Sequence, residues 1–456
     1  MTRPLPPLTV AALVFLAGLV AGLRLPPRAA PAAALAAVVA ALPALRVRPR
    51  NAVAAGHVAG TGRVAGTSRD GGAGRVLPLA ALAAAGLALG CAAARSARED
   101  CRARTPDGAR VLVRGAFVSE PAADGTAYFR LEELRAPGAP AGCRGTVRAR
   151  LAARQRAWPH AGAEVAGTGR WWAWPAEGPW PRPAERAGLL LLDSVRVLAP
   201  AGRGHHPLLA ARGAAQRRLR AVVPGQAPLA EALLLARTEA LDPDLRQRFA
   251  DSGLAHLLAI SGQHVGLVAG TLLLLGRVLR VAPSWAALGA AGATTAYVLF
   301  LGAPHAAARA ALLVLLLLAA RLAQRPADPR ALLAAAALLL LARDPLAALD
   351  PGFQLSFAGA VGIVELRGRW LEPLRTRLPR PAADSVATSL AAGIATAPVT
   401  AFHFGAVAPV AILANLVAVP LVAAAVPALA LALAATAAHP AAGRFLGGGA
   451  ELLLAA

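Results

Sequence analysis

His256, Ser261, Gln263 and His264 stand close together in the apolar stretch "DSGLAHLLAISGQHVGLVAG", residues 251–270. Imidazoles pass protons or donate hydrogen bonds, and a hydroxyl can act as a nucleophile. One chemistry is an intramembrane hydrolase centred on Ser261. Against it, position 259 is alanine rather than glycine, and no separate histidine stands out as a partner. A second chemistry is a wet path, because polar side chains facing lipid are costly and those inside a membrane protein face a cavity or one another. The third reading is packing. Gly262, Gly266 and Gly270 are spaced four apart and form a stripe that lets a helix approach closely. Ser261 would then bond a backbone carbonyl, and the histidines would be neutral interhelical donors. These residues alone leave packing and path equally open.

Later apolar runs repeat the pattern. Arg309 lies in "HAAARAALLVLLLL", and Gln354 and Ser356 in "DPGFQLSFAGAVGIVEL", which also carries Glu365. His403 follows "TAPVTAF", and Asn415 sits in "VAILANLVAVPLV" ahead of a helix-disturbing Pro420. A polar residue in nearly every run points to a shared polar interior. Four aspartates directly precede prolines: Asp242, Asp328, Asp344 and Asp350. An Asp N-cap with Pro at the first helical position is a start device, so capping is preferred to catalysis for all four. No HExxH motif and no P-loop occurs, so neither zinc-dependent peptide hydrolysis nor ATP hydrolysis is expected. His205 and His206 make a poor metal signal without further ligands, and neither a metal nor a cofactor is expected.

The elements that must position these residues are apolar helices. The chain has 456 residues, 57% of them hydrophobic, and a mean hydropathy of +0.54. Runs of about 18 or more apolar residues read as spans. They fall near 8–23, 29–45, 76–94, 254–278, 285–303, 306–323, 330–343, 353–367, 385–404, 408–437 and 441–456. The expected class is a polytopic α-helical membrane protein with an extracytoplasmic small β-barrel. The first run reads as an uncleaved span. The net charge is +23, and all 47 cationic side chains are arginine. The strongly basic loops are "RVRPRN…GAGR", "RLAQRPADPR" and "ELRGRWLEPLRTRLPRP". With the N-terminus inside, all three fall in the cytoplasm, where loops carry an excess of Lys and Arg.

That orientation puts residues 100–200 outside. Their pieces, including "ARVLVRGAFVSEP" and "GTVRARLAA", alternate with period two. Val147 and Leu151 would face inward, and Arg148 and Arg150 outward. About five short strands suggest an OB-like barrel. Arg148, Arg150, Arg170, Trp171, Trp172 and Trp174 are the types that hold single-stranded nucleic acid, by charge and by stacking. The competing readings are a barrel core or an interfacial aromatic belt. An oxidising exterior would also let Cys101 and Cys143 pair, or leave them as two free thiols. Residues 201–250 read as amphipathic helices, on the membrane surface or packed. The domains are therefore 1–99, 100–200, 201–250 and 251–456.

"FADSGLAHLLAISGQHVGLVAG", "RDPLAALDPGFQLSFAGAVGIV" and "TAPVTAFHFGAVAPVAILANLVAVPLV" together resemble ComEC-type competence proteins, in order and at plausible spacings over about 228–437. The resemblance implies an inner-membrane channel admitting one strand of transforming DNA. It also implies a periplasmic DNA receptor and a cytoplasmic helicase-like motor as partners, and is compatible with a homo-oligomer in the lipid. On this resemblance His256, Ser261, Gln263, His264, Arg309, Asp350, Gln354, His403 and Asn415 are expected on the DNA path or holding it. Many members end in a metallo-β-lactamase-like domain. This sequence has no HxHxDH cluster, so no nuclease step is expected of it. It also departs from the family in having "LLLARTEALDPDL" and "PAEGPWPRPAERAG" where a Gly-Asp-Arg turn and an Asn-Pro-Gly stretch are usual. The rival functions are a secondary transporter or exporter of a small solute, and the hydrolase at Ser261.

Overall fold

The computed structural model describes residues 7–24, 73–118, 126–138, 142–151, 162–173, 188–199, 207–238, 241–258, 262–302 and 305–455. Trp174, Ser261, the expected span at 29–45 and most of the first basic loop lie outside the described residues. The chain divides into two units. One holds the N-terminal helices, and the other holds the barrel and most of the later helices.

In the first unit, α1 (Pro7–Arg24) and α2 (Ala73–Glu99) form a close pair. Glycine makes it close. A Cβ on Gly18 would lie 2.1 Å from the carbonyl oxygen of Ala83, and one on Gly86 2.2 Å from that of Phe15. Gly22 and Gly90 repeat the contact one turn on. Two small-xxx-small faces thus meet backbone to backbone, the arrangement that stabilises helix pairs in lipid.

Asp100 caps the short α3 (Cys101–Arg104), accepting from the Arg102 amide at 2.8 Å. The Arg102 guanidinium also grips the same carboxylate with Nε and Nη2, both at 2.8 Å, and donates Nη1 to the Thr146 carbonyl at 2.7 Å. Burial pushes the Asp100 carboxyl up, but the hydrogen bonds and charge of Arg102 together outweigh it and hold the group below its ordinary value. Cys101 and Cys143 are joined in a disulfide, which closes a loop of 42 residues onto the barrel.

Five strands follow: β1 (Arg110–Phe117), β2 (Thr126–Arg135), β3 (Gly145–Leu151), β4 (Glu164–Ala173) and β5 (Gly188–Ala199). They close into a barrel of order β1-β2-β3-β5-β4, antiparallel except for β3 with β5. Alternation sets the two faces. Val111, Val113, Phe117, Phe129, Leu131, Leu134, Val147, Leu190 and Leu192 fill the interior, with Phe117 edge-on to Phe129 at 5.1 Å. At Gly115 the register against β2 shifts. A Cβ there would meet the Arg130 carbonyl oxygen at 2.0 Å, so only glycine lets the strands close.

The remaining helices are α4 (Pro207–Val222), α5 (Ala227–Leu235), α6 (Pro243–Asp251), α7 (Ala255–Leu258), α8 (Gly262–Val278), α9 (Pro283–Phe300), α10 (His305–Leu322), α11 (Pro329–Arg343), α12 (Pro351–Arg375), α13 (Arg380–Phe404), α14 (Ala411–Ala438) and α15 (Pro440–Ala455). The Asp-Pro device is realised at all four positions. Asp242, Asp328 and Asp344 each accept from the amide two residues on, and Asp350 from that of Phe353. Asp344 opens a 3-10 turn, and the others open α6, α11 and α12.

Among the described residues, two helices are long and apolar enough to cross a membrane, over Arg380–Phe404 and Ala411–Thr436. Several other expected spans are shorter helices. The run 254–278 is divided between α7 and α8, and 330–343 is a helix of 15 residues. α14 continues through Pro420 and Pro427 instead of breaking. Its flanking helices pack against it. Residues 207–235 are no separate layer. Leu219, Val222 and Val223 of α4 and its following turn share a core with Leu233 and Leu234 of α5 and with Val426 and Leu429 of α14.

Candidate functional site

The polar residues of the apolar runs converge at helix ends. Arg309 lies in the second turn of α10 and is 7% exposed. Its Nη2 donates to the Gly352 carbonyl at 2.9 Å, in the first turn of α12. That turn is the one capped by Asp350, so the Asp350 carboxylate both caps a helix and faces a buried guanidinium. Along α12, Gln354 meets the last turn of α13, where His403 Nε2 lies 2.8 Å from Gln354 Oε1. Three helices thus bring together Arg309, Asp350, Gln354 and His403, four residues separated by up to 94 positions in sequence. Phe402 and Phe404 flank His403, with ring centroids at 5.0 and 6.3 Å.

A second group adjoins α8 and α14. His256 is exposed, and its Nδ1 lies 3.0 Å from the Gly253 carbonyl oxygen. Gly253 has φ +73° and abuts Ala411, where a Cβ would come within 2.6 Å. Asn415 stands one turn further along α14, and its Oδ1 is buried without a hydrogen-bond partner. Gln263 is half-buried in the first turn of α8, and His264 is fully buried beside Val265. Val265 packs on Ala307, Ala310 and Ala311 of α10, next to Arg309. Ser261 lies outside the described residues.

The glycine stripe of α8 is a correction. Gly266 and Gly270 have nothing within 4 Å of a built Cβ, and Gly262 makes only an ordinary 3.7 Å contact with Ala310. The buried stripe of α8 is Val265, Ala269 and Gly276, rotated by one residue, about 100°. A small-residue stripe brings helices close only where a partner lies over it. Here that role falls to Gly276 against Ala286 and to Gly362 of α12 against Ala391 and Ala395 of α13.

On the barrel, Trp171 is also corrected. It is fully buried in the core and offers no ring to a ligand, whereas Trp172, one residue on, is 59% exposed. Adjacent strand residues point to opposite faces, so one of the pair had to be inside. The remaining outer residues fall on two neighbouring cross-strand rows. One runs Trp172–Leu189–Arg148–Tyr128 across β4, β5, β3 and β2. The next runs Arg110–Arg170–Leu191–Arg150–Thr126. Tyr128 and Arg110 were missed in the sequence, although β2 alternation would have placed Tyr128 outside with Arg130.

Glu231 was missed as well. It is 1% exposed and accepts from Gln216 at 2.8 Å and from Arg220 at 2.5 Å. Arg237 donates to the same Gln216 at 2.9 Å. A single carboxylate within "APLAEALLLA" was the available signal. Arg212 reaches the Phe300 carbonyl at the end of α9, and Tyr297 donates to the Leu234 carbonyl at 3.0 Å, so these polar groups tie α4 and α5 to the bundle.

The family model described as Competence protein matches residues 233–456, from within α5 to the last residue. No curated protein and no solved structure matches the chain.

Proposed function

We propose, on the premise that residues 233–456 belong to the Competence protein family, that the chain is a multi-pass protein of the bacterial inner membrane. In this reading it passes single-stranded transforming DNA into the cytoplasm. The observation that carries the proposal is the meeting of Arg309, Asp350, Gln354 and His403 from three helices at one level. A buried guanidinium with a half-buried carboxamide and imidazole, gathered in an apolar bundle, suits a polar path, and exposing them to lipid would be costly. His256 of α7, Gln263 and His264 of α8, and Asn415 of α14 extend the set.

The barrel is read as the OB type on its strand order and its single parallel pair. Its two outer rows supply what a single strand needs: Arg148, Arg150, Arg170 and Arg110 for phosphate, and Tyr128 and Trp172 for bases. The Cys101–Cys143 disulfide suits an oxidising exterior, so the barrel would meet DNA before the bundle does. We assign the chain no enzymatic step. Force on the strand would come from a cytoplasmic helicase-like partner, and delivery from a periplasmic DNA receptor.

The test is a deletion strain scored for labelled DNA crossing the inner membrane. Loss of protected label in the cytoplasm, restored by the wild-type chain, supports the proposal. Unchanged DNA uptake with a defect in transport of a small solute would replace it with the transporter reading.

A further inference from the structure

The barrel has a second outer surface that the two rows above do not use. Two further rows run across β2, β1, β4 and β5. In one, Arg135, Leu112, Thr168 and Ser194 stand side by side. In the next, Glu133, Arg114, Ala166 and Arg196 do so. Together they line an open groove on the barrel wall.

The groove has the chemistry of a phosphate seat. Between the two groove arginines stands Ala166, whose side chain is only a methyl. Arg114 and Arg196 flank Ala166 from the two neighbouring strands, so their Cα atoms stand about 10 Å apart, two strand spacings. Among the described residues neither guanidinium has a hydrogen-bond or ion-pair partner. The acid in the groove, Glu133, is engaged by Arg135 at 2.6 Å. The hydroxyls of Thr168 and Ser194 lie 2.7 Å apart, and one donates to the other. The pair therefore keeps one proton to give to a further acceptor. No aromatic ring lines the groove, so it offers charge and hydroxyl donors but no stacking platform.

We propose that this groove holds the phosphodiester backbone of a nucleic-acid strand, while the row of Tyr128 and Trp172 takes its bases. The inference rests on the reading of the barrel as a DNA-guiding domain. It extends the phosphate contacts of Arg110, Arg148, Arg150 and Arg170: the rings of Tyr128 and Trp172 would sense bases, and the groove would add a grip on any strand by its phosphates regardless of sequence.

The test uses the full chain purified in detergent and two labelled probes of equal length, oligo(dT) and an abasic deoxyribose-phosphate strand. Replacing both groove arginines, Arg114→Ser with Arg196→Ser, is expected to weaken the abasic strand at least tenfold. It should also lower the salt dependence of binding by about two phosphate contacts. Arg114→Lys with Arg196→Lys should keep most of the affinity, which separates charge loss from misfolding. Tyr128→Ala with Trp172→Ala should weaken oligo(dT) and leave the abasic strand unchanged. If the groove variant binds the abasic strand as wild type does, while the aromatic variant loses oligo(dT), the groove assignment fails and the barrel reading stands. If the wild-type chain binds neither probe, both fail. If anionic phospholipid vesicles bind the groove and the abasic strand cannot displace them, the ligand is lipid and the proposal is overturned.

Discussion

His403 Nε2 and Gln354 Oε1 lie 2.8 Å apart, joining the last turn of α13 to the first turn of α12. The two residues are far apart in sequence and on antiparallel neighbours, so each holds the other helix in register. Replacing either by leucine removes this bond between two half-buried groups, at a cost of about 0.5–1.5 kcal/mol. Gln354→Leu and His403→Leu should each abolish DNA uptake while the protein remains in the membrane. Their effects on stability should not add in the double variant, because both remove one interaction. Thermal unfolding of the four proteins of the cycle, with uptake measured alongside, checks this. Normal transformation by both single variants would remove these residues from the path.

Trp171 and Trp172 should separate cleanly. Trp171→Ala empties the centre of the barrel core and should cost about 3–5 kcal/mol. Trp172→Ala changes an exposed ring and should stay within about 0.5 kcal/mol on stability. Denaturant unfolding followed by near-ultraviolet circular dichroism distinguishes them, and oligonucleotide binding should respond to Trp172 without a loss of fold.

Thiol labelling of the unfolded, unreduced chain should modify Cys91 alone, since Cys101 and Cys143 are bonded to each other. Replacing the pair by serine should cost the barrel about 2–5 kcal/mol, as removal of a native disulfide from a small secreted domain does. Labelling of all three cysteines before any reductant is added would contradict the bridge.

Acid should act through Asp100. Arg102 holds its carboxyl below the ordinary value, so the folded form binds the proton less readily than the unfolded chain, where an aspartate titrates at about 3.9. The stabilising contribution is therefore complete above that unfolded value and is lost as pH falls through the folded one. Asp100→Asn should be less stable than wild type at neutral pH, and the gap should close on acidification through the carboxylate range. Melting temperatures of the two proteins across pH 2–7 test the sign.

The barrel was legible because period-two alternation carries its own inside and outside: "GTVRARL" put Val147 and Leu151 in the core and Arg148 and Arg150 outside. The Asp-Pro starts were legible for the same local reason, since a cap needs only its own turn. What failed depended on partners that sequence does not show. Whether the stripe Gly262–Gly266–Gly270 meets another helix is decided by the rotation of α8, and Val265 and Ala269 took the buried face instead. The pairing of Gln354 with His403, and of Arg309 with Gly352, was expected only as a general polar interior. Hydropathy averages over about a turn or more, and so blurs the difference between mid-helix and helix end. The rows across the barrel depend on register, and a bulge between Thr168 and Gly169 shifts β4 against β5 in a way the sequence does not announce.

The most direct measurement of the DNA path is site-specific crosslinking from within the bundle during uptake. A photoreactive amino acid at Gln263, in cells given labelled duplex DNA and illuminated during transfer, should attach label from a single strand. The same amino acid at Leu413, which is exposed on α14, should attach none. Cells that take up DNA normally with no crosslink at Gln263, or with equal crosslinking at both positions, would contradict a path through these helices.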